Sequence, residues 1–230
     1  MDSAVTYALE DSVAWITMDD GKVNALSPSM LAGLNAALDQ AEADQAVVVL
    51  RGRTGIFSAG FDLKVLRGGG PDAVPMLHSG FKLAERLLAF PTPVVVACAG
   101  HAIAMGVFVV LSADYRIGVS GPYRVTANEV AIGLTMPRAA VEICRQRLAP
   151  AQFNRAVMLA EVFSPEEAVT AGFFDRVVDP ADLEHTVREV THLLGGLDPQ
   201  AHRLTKQRAR ARLLHELRAA IDEDNVELGG

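Results

Sequence analysis

The chain has 230 residues, of which half are hydrophobic and 21% are charged, a balance that suits one folded domain and excludes a disordered chain. Its 28 acidic and 21 basic side chains give a net charge of −7, the wrong sign for binding a nucleic-acid backbone. No apolar run is long enough to span a membrane, and no signal peptide is evident. We therefore expect a cytoplasmic protein whose cysteines, Cys98 and Cys144, are buried free thiols.

The first part of the chain shows alternating strand and helix patterns. Two segments with period-2 hydrophobicity, 5–9 and 13–18, predict a hairpin of half-buried strands. The Ser-Pro pair at 27–28 predicts the cap and first position of a helix. The β-branched run 46–50 predicts a strand buried on both faces, and its Gly-rich continuation, 52–60, predicts a loop.

Later segments continue the alternation and then become mainly helical. In chain order the patterns predict a helix at 72–89, a buried strand at 94–99, a small-residue loop at 100–106, a buried helix at 107–112 and a strand at 115–119. Beyond Pro137 we expect helices, interrupted by one short strand at 176–178. This order predicts an α/β core followed by a mostly helical last third.

Two loops could carry chemistry, whereas common catalytic motifs are missing. Metal, nucleotide and serine-nucleophile signatures are absent from the sequence, so we expect no metal site. The segments 55–64 and 99–106 each follow a predicted strand and lead into a helix. Turns of this kind present backbone N–H groups, and two of them could aim one N–H each at a single oxygen, as in an oxyanion hole. On spacing alone, a purely structural role for both loops stays open.

Several ordered motifs together resemble one known family. They are KVNAL (22–26), FSAGFDLK (57–64), PVVVACAGHAIAMG (93–106), ADYRI (113–117), NEVAIG (128–133), PEEAVTAG (165–172) and DRVV (175–178). The sequence from about 5 to 210 thereby resembles the crotonase (enoyl-CoA hydratase/isomerase) superfamily. Its pattern is closest to that of the Δ3,Δ2-enoyl-CoA isomerases.

The resemblance implies a fold, a substrate and an assembly. The expected fold is α/β, a crotonase-type spiral of ββα turns with a helical C-terminal region. Residues 1–175 would form the spiral core with the active site, and residues 176–230 would serve oligomerisation and cover the coenzyme A. The expected partner is an acyl-CoA thioester, so coenzyme A belongs to the substrate and no separate cofactor is expected. A homotrimer or hexamer is implied as well.

The resemblance also assigns roles to individual residues. The backbone N–H groups of Phe61 and Met105 would polarise the thioester carbonyl, and Glu129 would be the acid/base. Family hydratases carry a second glutamate where this chain has Phe108, and a single carboxylate suits a proton shuttle between the α- and γ-carbons. The implied substrate-binding residues are Lys22, Ala59, Phe61, Asp62, Leu63, Lys64, Met105 and Phe108.

Two other functions remain open at this point. A hydratase could add water to a 2-enoyl-CoA with one carboxylate, and an acyl-CoA-binding protein with little turnover would also fit, since Met105 replaces the family's usual glycine. The basic stretch 203–218 is read as a solvated helix face. A sharper hypothesis is that Lys206 or a neighbour contacts the phosphates of coenzyme A.

Overall fold

The chain folds around two sheets, seen in a computed structural model that describes residues 4–68 and 71–229. The strands within these ranges are β1 (Val5–Glu10), β2 (Val13–Met18), β3 (Val47–Arg51), β4 (Gly55–Ser58), β5 (Val94–Cys98), β6 (Gly100–Ile103), β7 (Tyr115–Val119), β8 (Val125–Thr126) and β9 (Arg176–Val178). The helices are α1 (Pro28–Ala43), α2 (Leu63–Arg67), α3 (Ala73–Ala89), α4 (Met105–Leu111), α5 (Arg138–Arg147), α6 (Pro150–Val157), α7 (Pro165–Ala171), α8 (Leu183–Gly195) and α9 (Pro199–Gly229).

The main sheet has the strand order β1-β2-β3-β5-β7-β9, and a small second sheet has the order β4-β6-β8. Only β1 and β2 pair antiparallel, as the predicted hairpin; all other pairs of the two sheets are parallel. The strands β3, β5 and β7 are each followed directly by one strand of the small sheet. This repeat of two strands and a helical connection confirms the predicted α/β spiral.

The predictions of loops at 52–60 and 100–106 are partly wrong, because each segment contains a strand of the small sheet. Their glycines were read as loop residues, yet they permit close strand pairing. A Cβ atom on Gly100 would lie only 2.0 Å from the carbonyl carbon of Gly55. The two backbones therefore approach more closely than side chains would allow.

Alternate residues of the main sheet face two different cores. One face packs on α8 through residues such as Trp15, Val49 and Val95. The opposite face joins the larger core, which includes Phe57, Met105 and the buried face of α1. This alternation follows from the period of two along a strand.

The C-terminal helix α9 is tied to the sheet through Asp114, which directly precedes β7. The Asp114 carboxylate accepts hydrogen bonds from Lys206 Nζ (2.6 Å) and from the Val94 amide (2.8 Å). It also lies 2.8 Å from the Arg210 guanidinium. Burial lowers the pKa of Lys206 to about 8. These contacts give Asp114 a structural role. The strand β9 adds to the main sheet at the start of the C-terminal region.

Two further expectations concern the cysteines and the membrane. Cys98 and Cys144 are both buried and free, as predicted. Among the helices of residues 4–68 and 71–229, none combines the length and apolar character needed to cross a bilayer.

Candidate active site

The first candidate loop follows β4 and is held by the segment 22–26. The amide of Ala59 donates to the carbonyl of Val23 (3.0 Å), and the amide of Leu26 donates to the carbonyl of Gly60 (2.8 Å). The Ser58 hydroxyl donates to the carbonyl of Asn24 (2.7 Å) and accepts from the Gly60 amide (3.1 Å). These bonds fix the backbone on both sides of Gly60, whose φ of +90° suits glycine.

Asn24 is a residue whose role the sequence interpretation missed. It is fully buried with φ +51°, and its side-chain Nδ2 donates to the carbonyls of Met18 (3.0 Å) and Phe57 (3.1 Å). It thus joins the end of β2 to β4 immediately before the first loop. Asparagine tolerates the left-handed region better than most residues, so its place in the KVNAL motif was the available signal.

The second candidate loop is the turn between β6 and α4. Ala104 occupies it with φ 52° and ψ −128°, a backbone conformation that L-residues rarely adopt. Its amide donates to the carbonyl of Thr126 on β8 (2.9 Å), which anchors the turn. Met105 begins α4, so its own N–H is one of the first-turn donors without an intrahelical acceptor.

The two loops are in direct contact at Gly60. A Cβ atom at that position would lie 2.8 Å from Cβ of Ala104 and 3.2 Å from the amide nitrogen of Met105. Only glycine fits there. Because the missing side chain lets the two turns touch, the N–H groups of Phe61 and Met105 belong to adjacent turns. Within the described part of the chain, neither N–H group donates to an acceptor. The arrangement supplies two neighbouring free donors, which an oxyanion hole requires.

Glu129 lies just beyond β8, on the turn that starts the 3₁₀ segment 130–132. Its backbone carbonyl accepts from the amides of Ile132 (3.1 Å) and Leu134 (2.9 Å), which fixes the residue in this turn. The side chain is only 7% exposed. Its Oε2 has no hydrogen-bond partner among the described residues. Thr126, the last residue of β8, accepts from the amide of Ala104 in the second loop. Glu129 follows Thr126 by three residues, so β8 connects the second loop to this carboxyl.

The protonation equilibrium of Glu129 is shifted by its surroundings. Burial raises the pKa of its carboxyl from 4.5 to about 7, since a buried charge loses hydration. Ile132 lies three residues further along the chain and is an apolar candidate for shielding this carboxyl. However, the Ile132 side chain is exposed, so it is not the source of the burial. Cys144 on α5 is one neighbour of the Glu129 carboxyl. Burial and the nearby Glu129 charge both raise the pKa of the Cys144 thiol.

Phe108 takes part in an aromatic cluster next to the first loop. Its ring lies 6.2 Å from that of Phe81, and Phe61 meets Phe81 edge-on at 6.1 Å. Phe108 is 1% exposed and belongs to the large core. The ring of Phe61 also covers Gly80 on α3, where a Cβ atom would lie 2.4 Å from it. This packing holds the residue that carries the first amide.

The other predicted binding residues lie along the first loop and its anchor. Asp62 caps α2, because its Oδ1 accepts from the Lys64 amide (2.8 Å). Leu63 and Lys64 follow it on the exposed side of that short helix. Lys22 is exposed as well, and Ala59 is half-buried beside Gly60. Their contacts with a substrate stay predictions.

Two more polar residues near Glu129 were not recognised in the sequence. Thr126 Oγ1 and Asn128 Oδ1 are buried oxygens that, like Glu129 Oε2, have no partner within the described ranges. Buried polar atoms in folded proteins are nearly always hydrogen-bonded. Three such oxygens within four residues indicate a surface suited to a polar ligand or to water.

Two basic residues do not join this site. Lys206 is buried against Asp114 and also donates to the carbonyl of Thr92 (3.3 Å), so it serves the fold rather than an exposed phosphate site. His101 lies on β6, and its Nδ1 accepts from the Arg124 amide (3.0 Å). This contact with the backbone gives His101 a structural role.

Comparison with known proteins identifies the family of the chain. The family model described as enoyl-CoA hydratase/isomerase matches residues 8–227. A solved enoyl-CoA hydratase from Mycobacterium marinum is 46% identical with a TM-score of 0.93, covering 98% of this chain and 99% of that one. An apo structure of the Mtb enoyl-CoA isomerase is also 46% identical, with a TM-score of 0.94 and coverage of 99% and 100%. The human mitochondrial enoyl-CoA delta isomerase 1 is 28% identical over 221 residues, which are 92% of this chain and 72% of that protein.

The chain belongs to the enoyl-CoA hydratase/isomerase family and has the crotonase fold. It is accordingly an enzyme of the acyl-CoA-processing kind that defines this family. The resemblance found in the sequence is confirmed. Two solved relatives at equal identity carry different activity names, so identity alone does not choose between isomerase and hydratase.

Proposed function

We propose that the protein is an enoyl-CoA isomerase that moves a double bond from the 3,4- to the 2,3-position of an acyl-CoA thioester. The observation that carries this proposal is the buried carboxyl of Glu129, which has no partner for Oε2 within the described residues and a pKa raised to about 7. A group with this pKa can both accept and return a proton near neutral pH.

The proposed reaction uses two amides and one carboxylate. The Phe61 and Met105 N–H groups donate to the thioester oxygen, which makes the hydrogens on C2 more acidic. The Glu129 carboxylate removes a proton from C2, and the electrons move onto the oxygen to form a dienolate. Protonated Glu129 then returns the proton to C4, which leaves the double bond between C2 and C3. Each such amide is worth about 2.7–4 kcal/mol of the barrier.

Phe108 supports the isomerase over the hydratase. The family's second carboxylate would stand at this position, and here a buried aromatic ring packs on Phe81. An apolar ring cannot activate a water molecule. A hydratase is kept as the second candidate, because the buried oxygens of Thr126 and Asn128 could hold a water close to Glu129.

An oligomer, a trimer or a hexamer, is part of the same proposal. Val130, Ile132 and Leu134 follow Glu129 directly and are all exposed in the single chain. An apolar group of this kind next to a catalytic residue favours coverage by a second copy. The helical region from 176 onward is proposed to contribute to this interface and to cover the coenzyme A.

The proposal is tested by offering the purified protein two substrates and following the conjugated thioester absorbance. Conversion of a 3-enoyl-CoA, with absorbance appearing, is the result expected of the isomerase. Loss of absorbance from a 2-enoyl-CoA, with no reaction of the 3-enoyl-CoA, would instead establish the hydratase. Thermal stabilisation by both thioesters without turnover of either would overturn both activities and indicate a binding protein.

A further inference from the structure

A cavity lies on the face of the main sheet opposite to Met105 and Phe108. Its volume is about 410 Å³, a size that suits a small organic ligand. It is enclosed by the first turns of α8 and by the C-terminal ends of β2, β3, β5 and β7, where Thr17, Arg51, Ala97 and Val119 line it. Ligands in parallel sheets bind at these carboxyl ends.

Two cations, Arg51 and Arg53, line this cavity; Arg53 lies 3.9 Å from Asp19, whereas Arg51 has no acidic partner among the described residues. The Arg51 Nε donates to the hydroxyl of Thr17 (2.8 Å), and no carboxylate of the described residues forms an ion pair with it. The neighbouring Arg188, in contrast, is paired with Glu10 and Glu184. The two terminal amino groups of Arg51 therefore remain available as a planar fork, the geometry that matches a carboxylate.

Trp15 forms the wall beside this fork. The guanidinium carbon of Arg51 lies 4.9 Å from its ring centroid, and that of Arg188 lies 5.0 Å from it. Trp15 is only 4% exposed, and its Nε1–H has no acceptor within the described ranges. The unpaired guanidinium of Arg51 on the face of this indole points to a negatively charged occupant.

The rest of the lining decides what kind of anion fits. Leu183, Val187 and Val119 present apolar side chains, and Glu184 is already neutralised by Arg188 (2.9 Å). The first turn of α8, a helix of 13 residues, adds the partial positive charge of a helix N-terminus. The ligand must therefore have one negatively charged end and an apolar body.

We propose that this cavity is a binding site for a small monocarboxylate with an apolar body. The carboxylate would pair with the fork of Arg51, and the hydrocarbon part would lie along Trp15 and the aliphatic residues of α8. The site is separate from the thioester site, because the main sheet stands between the cavity and the core that contains Met105 and Phe108.

The sole tryptophan of the chain makes the test direct, because Trp15 lines the cavity. Hexanoate is titrated into the full-length protein while tryptophan fluorescence is followed, with hexanamide as the uncharged control. We expect a saturable change with hexanoate and little with hexanamide. Absence of a saturable change, or equal responses to both compounds, would overturn the proposal.

Variants then locate the binding. Arg51→Gln should weaken the affinity for hexanoate about tenfold or more, since a charge-assisted hydrogen bond is lost. The affinity of Arg51→Lys should lie between those of Arg51→Gln and the parent. Arg203→Gln, an exposed arginine on α9, is the matched control and should bind as the parent does. Unchanged affinity in both Arg51 variants, with thermal unfolding showing that they fold, would refute the assignment. Glu129→Gln should keep hexanoate binding, and its loss there would place the ligand in the thioester site instead.

Discussion

Asp114 and Glu129 are two shielded carboxyl groups with opposite surroundings. Asp114 receives two cationic side chains and a backbone amide, so its charge is fully compensated inside the fold. Glu129 has no cation beside it in the described part of the chain, and its Oε2 has no donor. Compensated buried charge holds elements together, whereas an uncompensated carboxyl with a shifted pKa is typical of a catalytic group. Substitutions at the two positions should therefore fail in different ways.

The largest effect is expected from Glu129→Gln on activity. The amide keeps the shape of the side chain but cannot accept and return a proton, so turnover of a 3-enoyl-CoA should fall by about 10²–10⁴-fold. The measurement is steady-state conversion, with Glu142→Gln, a half-buried side chain on α5 that pairs with Arg145, as the matched control. Turnover within a few-fold of the parent would exclude Glu129 as the acid/base.

Asp114→Asn should act on stability instead. It leaves Lys206 and Arg210 without their counter-charge, and breaking a buried pair of this kind costs about 3–5 kcal/mol. Urea unfolding should show this loss, while the kcat of the folded protein stays near that of the parent. A large drop in kcat at full folding would contradict the structural role of Asp114.

A third prediction compares the stability of the parent with that of Glu129→Gln at two pH values. Because the native pKa is raised to about 7 from 4.5, the folded parent binds more protons than the unfolded chain in this window. Its stability should therefore fall as pH rises from 4.5 to 7, and the variant should lack that loss. Between pH 5 and pH 8 the parent should lose roughly 2 kcal/mol relative to the variant, measured by urea unfolding at both values. No difference between the two pH dependences would mean that the carboxyl is hydrated in solution.

The pH dependence of kcat/KM sharpens the same point. The carboxylate form of Glu129 must be present to remove the C2 proton, so kcat/KM should fall below pH 7 by about tenfold per pH unit. Stopped assays across this range, with protein stability checked at each pH, give the profile. A flat profile down to pH 5.5 would mean that another group is the base.

The smallest effect is expected from Gly80→Ala on α3. The added Cβ would lie 2.4 Å from the Phe61 ring, so the ring and the loop that carries the first amide must shift. We expect a loss of about 1–3 kcal/mol in stability and a several-fold lower kcat. Ser79→Ala, one position earlier, is the control, and equal kcat in the two variants would show that the Phe61 ring does not position the amide.

The sequence predicted most elements because their local patterns are strong. The hairpin at 5–18, the cap at Ser27 and the late helices were all found from periodicity and capping residues. The strands β4 and β6 were missed because Gly55 and Gly100 look like loop residues in isolation. Their partner is another strand some 45 residues away, and only the pairing explains why glycine is needed.

The sequence proposed residues for the candidate site but could not give their geometry. The resemblance pointed to Glu129, Phe61 and Met105, and the buried carboxyl and free amides agree with it. The backbone of Ala104 and the long-range bonds of Asn24 could not be deduced, because both depend on contacts between distant segments. Residues that orient a loop through main-chain bonds carry no composition signal of their own.

The donors at positions 61 and 105 belong to the peptide backbone, which has a consequence for how this enzyme can change. Any amino acid except proline supplies the same N–H, so replacing the side chain of Phe61 or Met105 leaves a backbone donor at each position. Gly60 lacks this latitude, because the turn beside it leaves no space for a Cβ atom. Under the proposed mechanism, acyl preference can thus diverge through the neighbouring side chains while the two carbonyl-activating amides are retained.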